Sequence, residues 1–174
     1  LRVLLRTSGV EAHSAYPELG RSAISPMLEL LREIEALPLP TDPELGPSTV
    51  NIGVIRGGTE ANVVPGWCEA ELMFRVVGDC NEIRERLDRL VQGRAQVSYQ
   101  SCIPAQRFHT LPGFETGTVA FTSDVPLLSR WGKPLLFGPG SIHVAHTPGE
   151  FVDVKELQQA VQTYRDIVRQ LLSS

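Results

Sequence analysis

The chain has 174 residues, of which 42% are hydrophobic and 21% charged, and its formal net charge at pH 7 is -4. This is the composition of an ordinary soluble globular protein. Acidic and basic residues are interspersed, so no basic stripe indicates binding to nucleic acid or to an anionic membrane. No apolar run approaches the ~20 residues that a membrane-spanning helix requires.

The chain opens on Leu1 rather than on methionine, and we expect it to be the middle of a longer protein without a signal peptide at this point. Its three cysteines, Cys68, Cys80 and Cys102, show no paired spacing and are odd in number. We therefore expect free thiols in a reducing, cytoplasmic setting.

The predicted elements begin with a strand at 2–8. Apolar residues then recur at spacings of three and four over 22–37, which predicts an amphipathic helix with Ser25 as a candidate cap. Apolar and polar residues alternate over 48–56, which predicts another strand. A stretch with glycines and a proline separates it from a further predicted strand at 67–77.

A capping box predicts the start of the second helix, because Asp79 is followed three residues later by Glu82. This helix is expected to stop at Gly93, and residues 95–102 predict the next strand. The order βαββαβ is that of a ferredoxin-like sandwich, in which two helices cover one face of four strands. Such a module buries a core of its own, so we expect it to be a separate domain.

The pattern changes after this module. Residues 104–122 are irregular, and a short helix is predicted from Ser123 or Asp124 to Trp131. A strand is predicted at 134–137. One strand cannot make a sheet, so this segment needs strands from elsewhere in the protein or from another chain.

The final helix is predicted at 154–172, where Asp153 and Glu156 form a second capping box. Its apolar residues share one face and are expected to form a buried stripe. They are Leu157, Ala160, Val161, Tyr164, Val168 and Leu171.

The loop between the predicted strand at 134–137 and this helix carries residues suited to chemistry. Gly138 and Gly140 allow the backbone to approach a ligand closely. His146 and Glu150 supply a possible metal ligand and a carboxylate. A loop that follows a strand and precedes a helix is where open α/β sheets place their ligands.

Five short sequence stretches are distributed along nearly the whole length of the chain. They are 12–17 (AHSAYP) with Gly20, 51–58 (NIGVIRGG), 62–65 (NVVP) with Arg75, 138–140 (GPG) and 145–148 (AHTP). Together they resemble the co-catalytic zinc deacylase and carboxypeptidase family. Its members include acetylornithine deacetylase, succinyl-diaminopimelate desuccinylase, aminoacylase and the glutamate carboxypeptidases.

In that family a dimerising βαββαβ lid is inserted into an α/β catalytic domain. The resemblance implies that residues 1–108 are the lid of a homodimer and that 109–174 are the C-terminal portion of the catalytic domain. The family's front half carries a His-x-Asp pair, a bridging aspartate, a Glu-Glu pair and one further carboxylate. This chain contains neither His-x-Asp nor Glu-Glu, so we expect it to be inactive by itself.

The resemblance implies that His146 is the last protein ligand of one zinc in a pair, with cobalt or manganese as possible substitutes. Imidazole is a common zinc ligand, and a carboxylate and a hydroxide are expected to bridge the two metals. The alternative is a loop histidine bonded to backbone. His143 is expected to be a non-ligand, and Glu150 to anchor the loop or support the ligands rather than act as the general base.

On the lid, the resemblance implies that His13 reaches across the dimer and hydrogen-bonds the oxyanion of the tetrahedral intermediate. The alternative is a surface-loop histidine. Asn62 resembles a lid asparagine that orients the substrate or the oxyanion, and an Asx turn is a compatible role. Tyr16 is expected either to line the acyl pocket or to pack.

Arg75 resembles the arginine that grips the substrate's α-carboxylate, a task for which a bidentate guanidinium is well suited. Its alternative role is a surface charge at a strand end. The backbone N–H groups of Gly138 and Gly140 are expected to meet the same carboxylate, or simply to turn the chain.

The expected function is that of a cytoplasmic, homodimeric, zinc-dependent amidohydrolase that removes an N-acyl group from an amino acid. Its substrate would be an N-acyl amino acid or a small peptide. A metallo-carboxypeptidase of the same family is one alternative. A stand-alone module that only dimerises or binds small carboxylates is the other.

Overall fold

The computed structural model describes residues 1–128 and 130–173, which divide into two compact units. The first unit holds residues 1–106 and 118–123, and the second holds 107–117 and the described part of 124–174. The assignment of residues 109–174 to a catalytic domain stays a prediction.

The first unit has the predicted βαββαβ order, with a short hairpin of two two-residue strands added between its first helix and its next long strand. Its elements are β1 (Arg2–Ser8), α1 (Ile24–Glu35), β2 (Thr41–Asp42), β3 (Gly46–Pro47), β4 (Thr49–Gly57), β5 (Trp67–Arg75), α2 (Cys80–Val91) and β6 (Gln96–Ser101). The fold predicted from periodicity and turn residues is confirmed for this unit.

The two helices of the first unit begin differently from one another. Ala23 is the N-cap of α1 and gives no side-chain cap, while the Ser25 N–H donates to Ser22 Oγ at 3.2 Å. The prediction that Ser25 caps this helix is therefore wrong, because Ser25 already lies inside it. At α2, the Asp79 carboxylate accepts the Asn81 N–H at 2.9 Å and acts as the expected cap.

The long strands form one antiparallel sheet in the order β4-β5-β1-β6. Alternate residues of the central strands β1 and β5 face the two helices and are almost wholly buried. The largest fully buried side chains of this core are Phe74, Leu5, Met27, Leu30, Ile34, Leu72, Ile83 and Leu87. The opposite face of the sheet carries the cross-strand ion pairs Arg2–Glu71 and Arg6–Glu69.

Strand register defines two ends of this sheet. Ser8 pairs with Trp67 at one end, so the loop after β1 and the loop before β5 leave the sheet together there. Thr49 pairs with Arg75 at the other end. We call these the loop end and the Arg75 end.

A disulfide joins Cys80 to Cys102, whose Cα atoms lie 6.5 Å apart. The expectation of free thiols is therefore wrong for two of the three cysteines. Their separation of 22 residues hides the pairing in the sequence, because it is the fold that brings the start of α2 beside the end of β6. Cys68 is free and buried, and burial raises the pKa of its thiol.

The second unit contains α3 (Val154–Leu172) and short 3-10 turns at Val125–Leu127 and Ile142–Val144. Asp153 is the N-cap of α3, as predicted, and it accepts the Lys155 N–H at 2.7 Å. The expected short helix reduces to the single turn at Val125–Leu127.

The strand predicted at 134–137 does not form within the described residues. The His109 N–H donates to the Pro134 carbonyl at 2.7 Å, and the structure describes no ladder continuing from that bond. An extended segment becomes a strand only beside a partner strand, and the described part of this unit supplies none.

The apolar stripe of α3 is exposed for most of its length. Of the residues predicted to be buried, only Ala160 is, and it is joined by Ile167. The exposed members are Leu157, Val161, Tyr164, Val168 and Leu171. Among them, Tyr164 contacts Phe137, with its ring edge-on at 5.0 Å between centroids and its hydroxyl donating to the Phe137 carbonyl at 2.9 Å. The prediction of a buried stripe is therefore wrong for this chain, because even this contact leaves Tyr164 48% exposed. Among the described residues, no helix is both long enough and apolar enough to cross a membrane.

Candidate catalytic and metal-binding residues

The segment that carries His13 is fixed against the segment that carries Asn62. The Val64 N–H donates to the Ala12 carbonyl, and the Ser14 N–H donates to the Asn62 carbonyl, both at 2.8 Å. His13 itself forms an isolated antiparallel bridge with Val63. The structure thus brings two of the predicted site residues together at the loop end of the sheet.

One hydrogen bond to the His13 ring indicates its tautomer. The Ala15 N–H donates to His13 Nδ1 at 3.1 Å, so Nδ1 is an acceptor and the proton of the neutral ring lies on Nε2. The ring contacts Tyr16 edge-on, with centroids 6.4 Å apart. His13 is exposed, and its Nε2–H is therefore a donor suited to an oxygen atom supplied from outside the unit.

Asn62 and Tyr16 are also exposed at the loop end. An Asx turn would require the Asn62 side chain to accept the Val64 N–H, but that group donates to Ala12 instead. The Asn62 carboxamide is therefore not engaged in such a turn. Tyr16 is 59% exposed, which excludes a core-packing role within this unit.

Arg75 lies at the opposite end of the sheet from His13 and Asn62. Its Nη1 donates to Thr122 Oγ1 at 2.9 Å. The strand β5 spans nine residues, so its two ends are separated by roughly 27 Å at the usual rise per residue. One copy of the first unit therefore cannot present Arg75 and His13 to the same small substrate.

His146 occupies a turn position that glycine usually takes. Ala145 has φ -63° and ψ 142°, and His146 has φ 63°. The Thr147 N–H donates to the Val144 carbonyl at 3.3 Å and closes the turn. These values describe a type II turn with His146 at its third residue. Among the described residues, His146 is the one non-glycine residue with positive φ.

Side chains near His146 hold this turn. The His146 N–H donates to Glu150 Oε2 at 3.0 Å, and Thr147 Oγ1 donates to the Val144 carbonyl at 2.7 Å. The Glu150 N–H donates to the Thr147 carbonyl at 3.1 Å, which adds a second turn. Glu150 thus anchors the loop, one of the two roles that the sequence left open for it.

The glycines of this loop differ in what they require. Gly140 has φ 88°, a conformation that favours glycine, while Gly138 has open space around it. The next residue, Ser141, accepts the His143 N–H at 3.2 Å. No structural observation assigns either glycine to a carboxylate, so that role stays a prediction.

The described residues do not include a complete metal site. Within residues 1–128 and 130–173, no three His, Cys, Asp or Glu side chains lie close enough together to hold a metal ion. His146 fits as a single zinc ligand, since it is an exposed imidazole on a loop whose backbone is held by hydrogen bonds. That the further ligands lie outside this chain stays a prediction.

Three features of the structure were not predicted from the sequence. The tautomer of His13 depends on a bond to Ala15 that a motif does not specify. The disulfide depends on tertiary proximity. The strained turn at His146 has no local signal either, because Ala145-His146 lacks the glycine or asparagine that marks a type II turn.

A family model described as the peptidase dimerisation domain, M20_dimer, matches residues 1–99. A "Peptidase M20 domain-containing protein" of Schizosaccharomyces pombe is 37% identical over 163 residues, which cover 92% of this chain and 41% of that protein. A "Probable carboxypeptidase" of Aspergillus niger is 38% identical over 182 residues, which cover 92% of this chain and 44% of that protein. This chain thus spans less than half the length of these curated relatives.

Among solved structures, aminopeptidase PepT from Bacillus cereus has a similar fold. The TM-score is 0.59 with 21% sequence identity, and the match covers 91% of this chain and 48% of that chain. At this level of identity the similarity supports the mixed α and β fold and nothing about substrate.

Proposed function

The chain belongs to the M20 peptidase family, and from this membership we propose that it is part of a metal-dependent amide hydrolase. The bond cleaved is the amide of an N-acyl amino acid, which has a free α-carboxylate beside it. The chain spans 41% and 44% of two relatives, and we propose that the remaining catalytic residues lie outside it. It would then be inactive alone.

This proposal gives each candidate site residue a role in the reaction. When bound, a pair of zinc ions, or cobalt or manganese in their place, would activate water and polarise the carbonyl. His13 donates its Nε2–H to the oxyanion, and Asn62 orients the same group. Arg75 holds the α-carboxylate, with the backbone of Gly138 and Gly140 as further donors.

The observation that carries this proposal is the geometry of His13. Its Nδ1 is occupied by the Ala15 N–H at 3.1 Å, so the exposed Nε2–H is available to a developing negative charge. The roughly 27 Å between the ends of β5 supports the further proposal that His13 of one copy serves the active site of the other. A homodimer is then required for catalysis.

The dimer surface that we propose is the edge of the sheet at β4. This strand is the longer of the two edge strands, with nine residues against six for β6. Edge strands present unpaired N–H and C=O groups that pair readily with another strand. Ile55 on β4 and Leu28 on α1 are 47% and 50% exposed, and a second copy would cover apolar residues of this kind.

The exposed stripe of α3 supports the proposal that the chain is one part of a larger catalytic domain. Apolar side chains spaced along one helix face are normally buried against a sheet or another helix. The part of the protein that lies outside this chain would supply that layer.

Deacylase and carboxypeptidase activities share this chemistry, since the C-terminal residue of a peptide is itself an N-acylated amino acid. The name of the Aspergillus niger relative, "Probable carboxypeptidase", favours the second activity. A panel of acetyl, succinyl and aminoacyl derivatives of single amino acids, offered to the full-length protein, would separate the two. Preferential hydrolysis of peptides would replace deacylase with carboxypeptidase.

The non-enzymatic alternative is a stand-alone module that dimerises or binds small carboxylates. It predicts carboxylate binding without turnover in the full-length protein. A cytoplasmic location also remains a proposal. It was inferred from the expectation of free thiols, and the disulfide Cys80–Cys102 argues against that expectation.

The most direct test of the oxyanion role is His13→Ala in the full-length protein. Loss of one oxyanion donor should lower kcat by about 10²–10³-fold with a smaller change in KM. His109→Ala is the matched control, because His109 has no predicted catalytic role. Unchanged turnover in His13→Ala would remove the proposed role of His13.

A further inference from the structure

The turn at His146 is strained where a glycine would relieve it. A non-glycine residue with φ 63° is uncommon, although histidine adopts it more often than most residues, and the third position of a type II turn favours glycine or asparagine. Strained backbone persists where the surrounding structure holds it and often marks a functional residue. The structure must therefore contain a group that stabilises this conformation.

Glu150 is such a group, beside the Thr147 hydroxyl that donates to the Val144 carbonyl. Its carboxylate accepts the His146 N–H at 3.0 Å across the loop. The turn's own closing bond uses the Thr147 N–H and leaves the His146 N–H without a partner in the turn. By accepting this bond, the Glu150 carboxylate satisfies the backbone N–H that the strained residue would otherwise leave to water.

We propose that Glu150 is a positioning residue for His146. It fixes the left-handed backbone from which the imidazole projects, and so limits the places that the ring nitrogens can reach. The proposal rests on the proposed function insofar as His146 serves as a metal ligand. It assigns Glu150 no proton transfer and no direct contact with metal, because accepting the backbone N–H is its entire task.

The first test measures the backbone in the metal-free, full-length protein. Hydrogen exchange at the His146 amide is compared between the wild type, Glu150→Ala and Glu150→Gln. In Glu150→Ala this amide should exchange about fivefold faster, which corresponds to loss of one ordinary hydrogen bond. Glu150→Gln should stay near the wild type, because its amide oxygen accepts the same bond. Equal exchange in the wild type and Glu150→Ala would overturn the proposal.

The second test measures zinc affinity by competition with a chromophoric chelator, which does not depend on activity. Glu150→Ala should bind zinc about tenfold more weakly or worse, as is usual when a group that orients a ligand is lost. Glu150→Gln should retain the wild-type affinity. Glu115→Ala is the matched control, since Glu115 is an exposed glutamate of the same unit.

Two outcomes of the second test overturn the proposal. If Glu150→Gln loses as much zinc affinity as Glu150→Ala, the charge matters and the hydrogen bond does not. If His146→Ala loses zinc but Glu150→Ala does not, Glu150 has no positioning role while the proposed function stands. If His146→Ala keeps its zinc, the proposed function itself fails, and hydrogen exchange still reports whether Glu150 holds the turn.

Discussion

The two units differ in how completely they bury their own apolar residues. The first packs two helices on one face of a four-stranded sheet and leaves its central side chains, such as Phe74 and Leu5, almost inaccessible. The second leaves most of the α3 stripe exposed, including Val161 and Val168. The first unit thus buries its own core. The second has an exposed apolar helix face that is typical of a layer packed against another layer.

The largest effect should come from the core of the first unit. Phe74→Ala should lower the free energy of unfolding by about 3–5 kcal/mol, because Phe74 is 1% exposed and its removal leaves a cavity. Met73→Ala is the control, since Met73 is only partly buried on the opposite face of the same strand. Denaturant unfolding of the 174-residue chain measures both. A similar, small loss in both variants would contradict a self-contained core.

Loss of the disulfide should have the next largest effect. A bond that closes a loop between residues 22 apart is expected to stabilise the first unit by about 3 kcal/mol. Thermal unfolding of Cys80→Ser/Cys102→Ser should therefore match that of the wild type under dithiothreitol. If dithiothreitol leaves the wild-type melting curve unchanged, the bond contributes nothing to this unit.

The second unit should respond to substitution only when the rest of the protein is present. Val161→Ser should change the free energy of unfolding of the 174-residue chain by less than about 0.5 kcal/mol, because Val161 is exposed there. In the full-length protein the same change should cost about 1–3 kcal/mol, since it would place a hydroxyl in a buried layer. Equal effects in the two proteins would mean that nothing covers α3.

The smallest effect on stability should come from His146→Gly. Glycine relieves the cost of φ 63° but adds freedom to the unfolded chain, so the two terms nearly cancel and leave about 0.5 kcal/mol or less. Denaturant unfolding of the 174-residue chain measures this. A large loss of stability would mean that the imidazole is a structural group, which would weaken its assignment as a metal ligand.

The contrast between the units also explains what the sequence could predict. Periodicity identified α1 and β4, because these elements bury their apolar faces within the chain. The same reasoning placed a strand at 134–137 and buried Val161, and it was wrong in both cases because the required neighbours are not in the described chain. A local sequence pattern indicates which face of a helix or strand is apolar, but it does not identify the element that covers this face.

The candidate site divides in the same way. The sequence motifs singled out His13 and Asn62 as candidate site residues. In the structure, backbone hydrogen bonds hold the two loop segments that carry them side by side. The separation of Arg75 from them could not be predicted, since it depends on strand register. Likewise, the bond between Glu150 and His146 depends on turn geometry that neither residue type specifies.

The central claim is that His13 of one copy acts in the active site of another, and a mixing experiment tests it most directly. Full-length His13→Ala and His146→Ala are each expected to be nearly inactive. When they are unfolded together and refolded into mixed dimers, one site per mixed dimer would combine an intact His146 with His13 from the partner, so activity should reappear. If the mixture stays as inactive as its components, although mixed dimers form, His13 does not act across the dimer and the claim is contradicted.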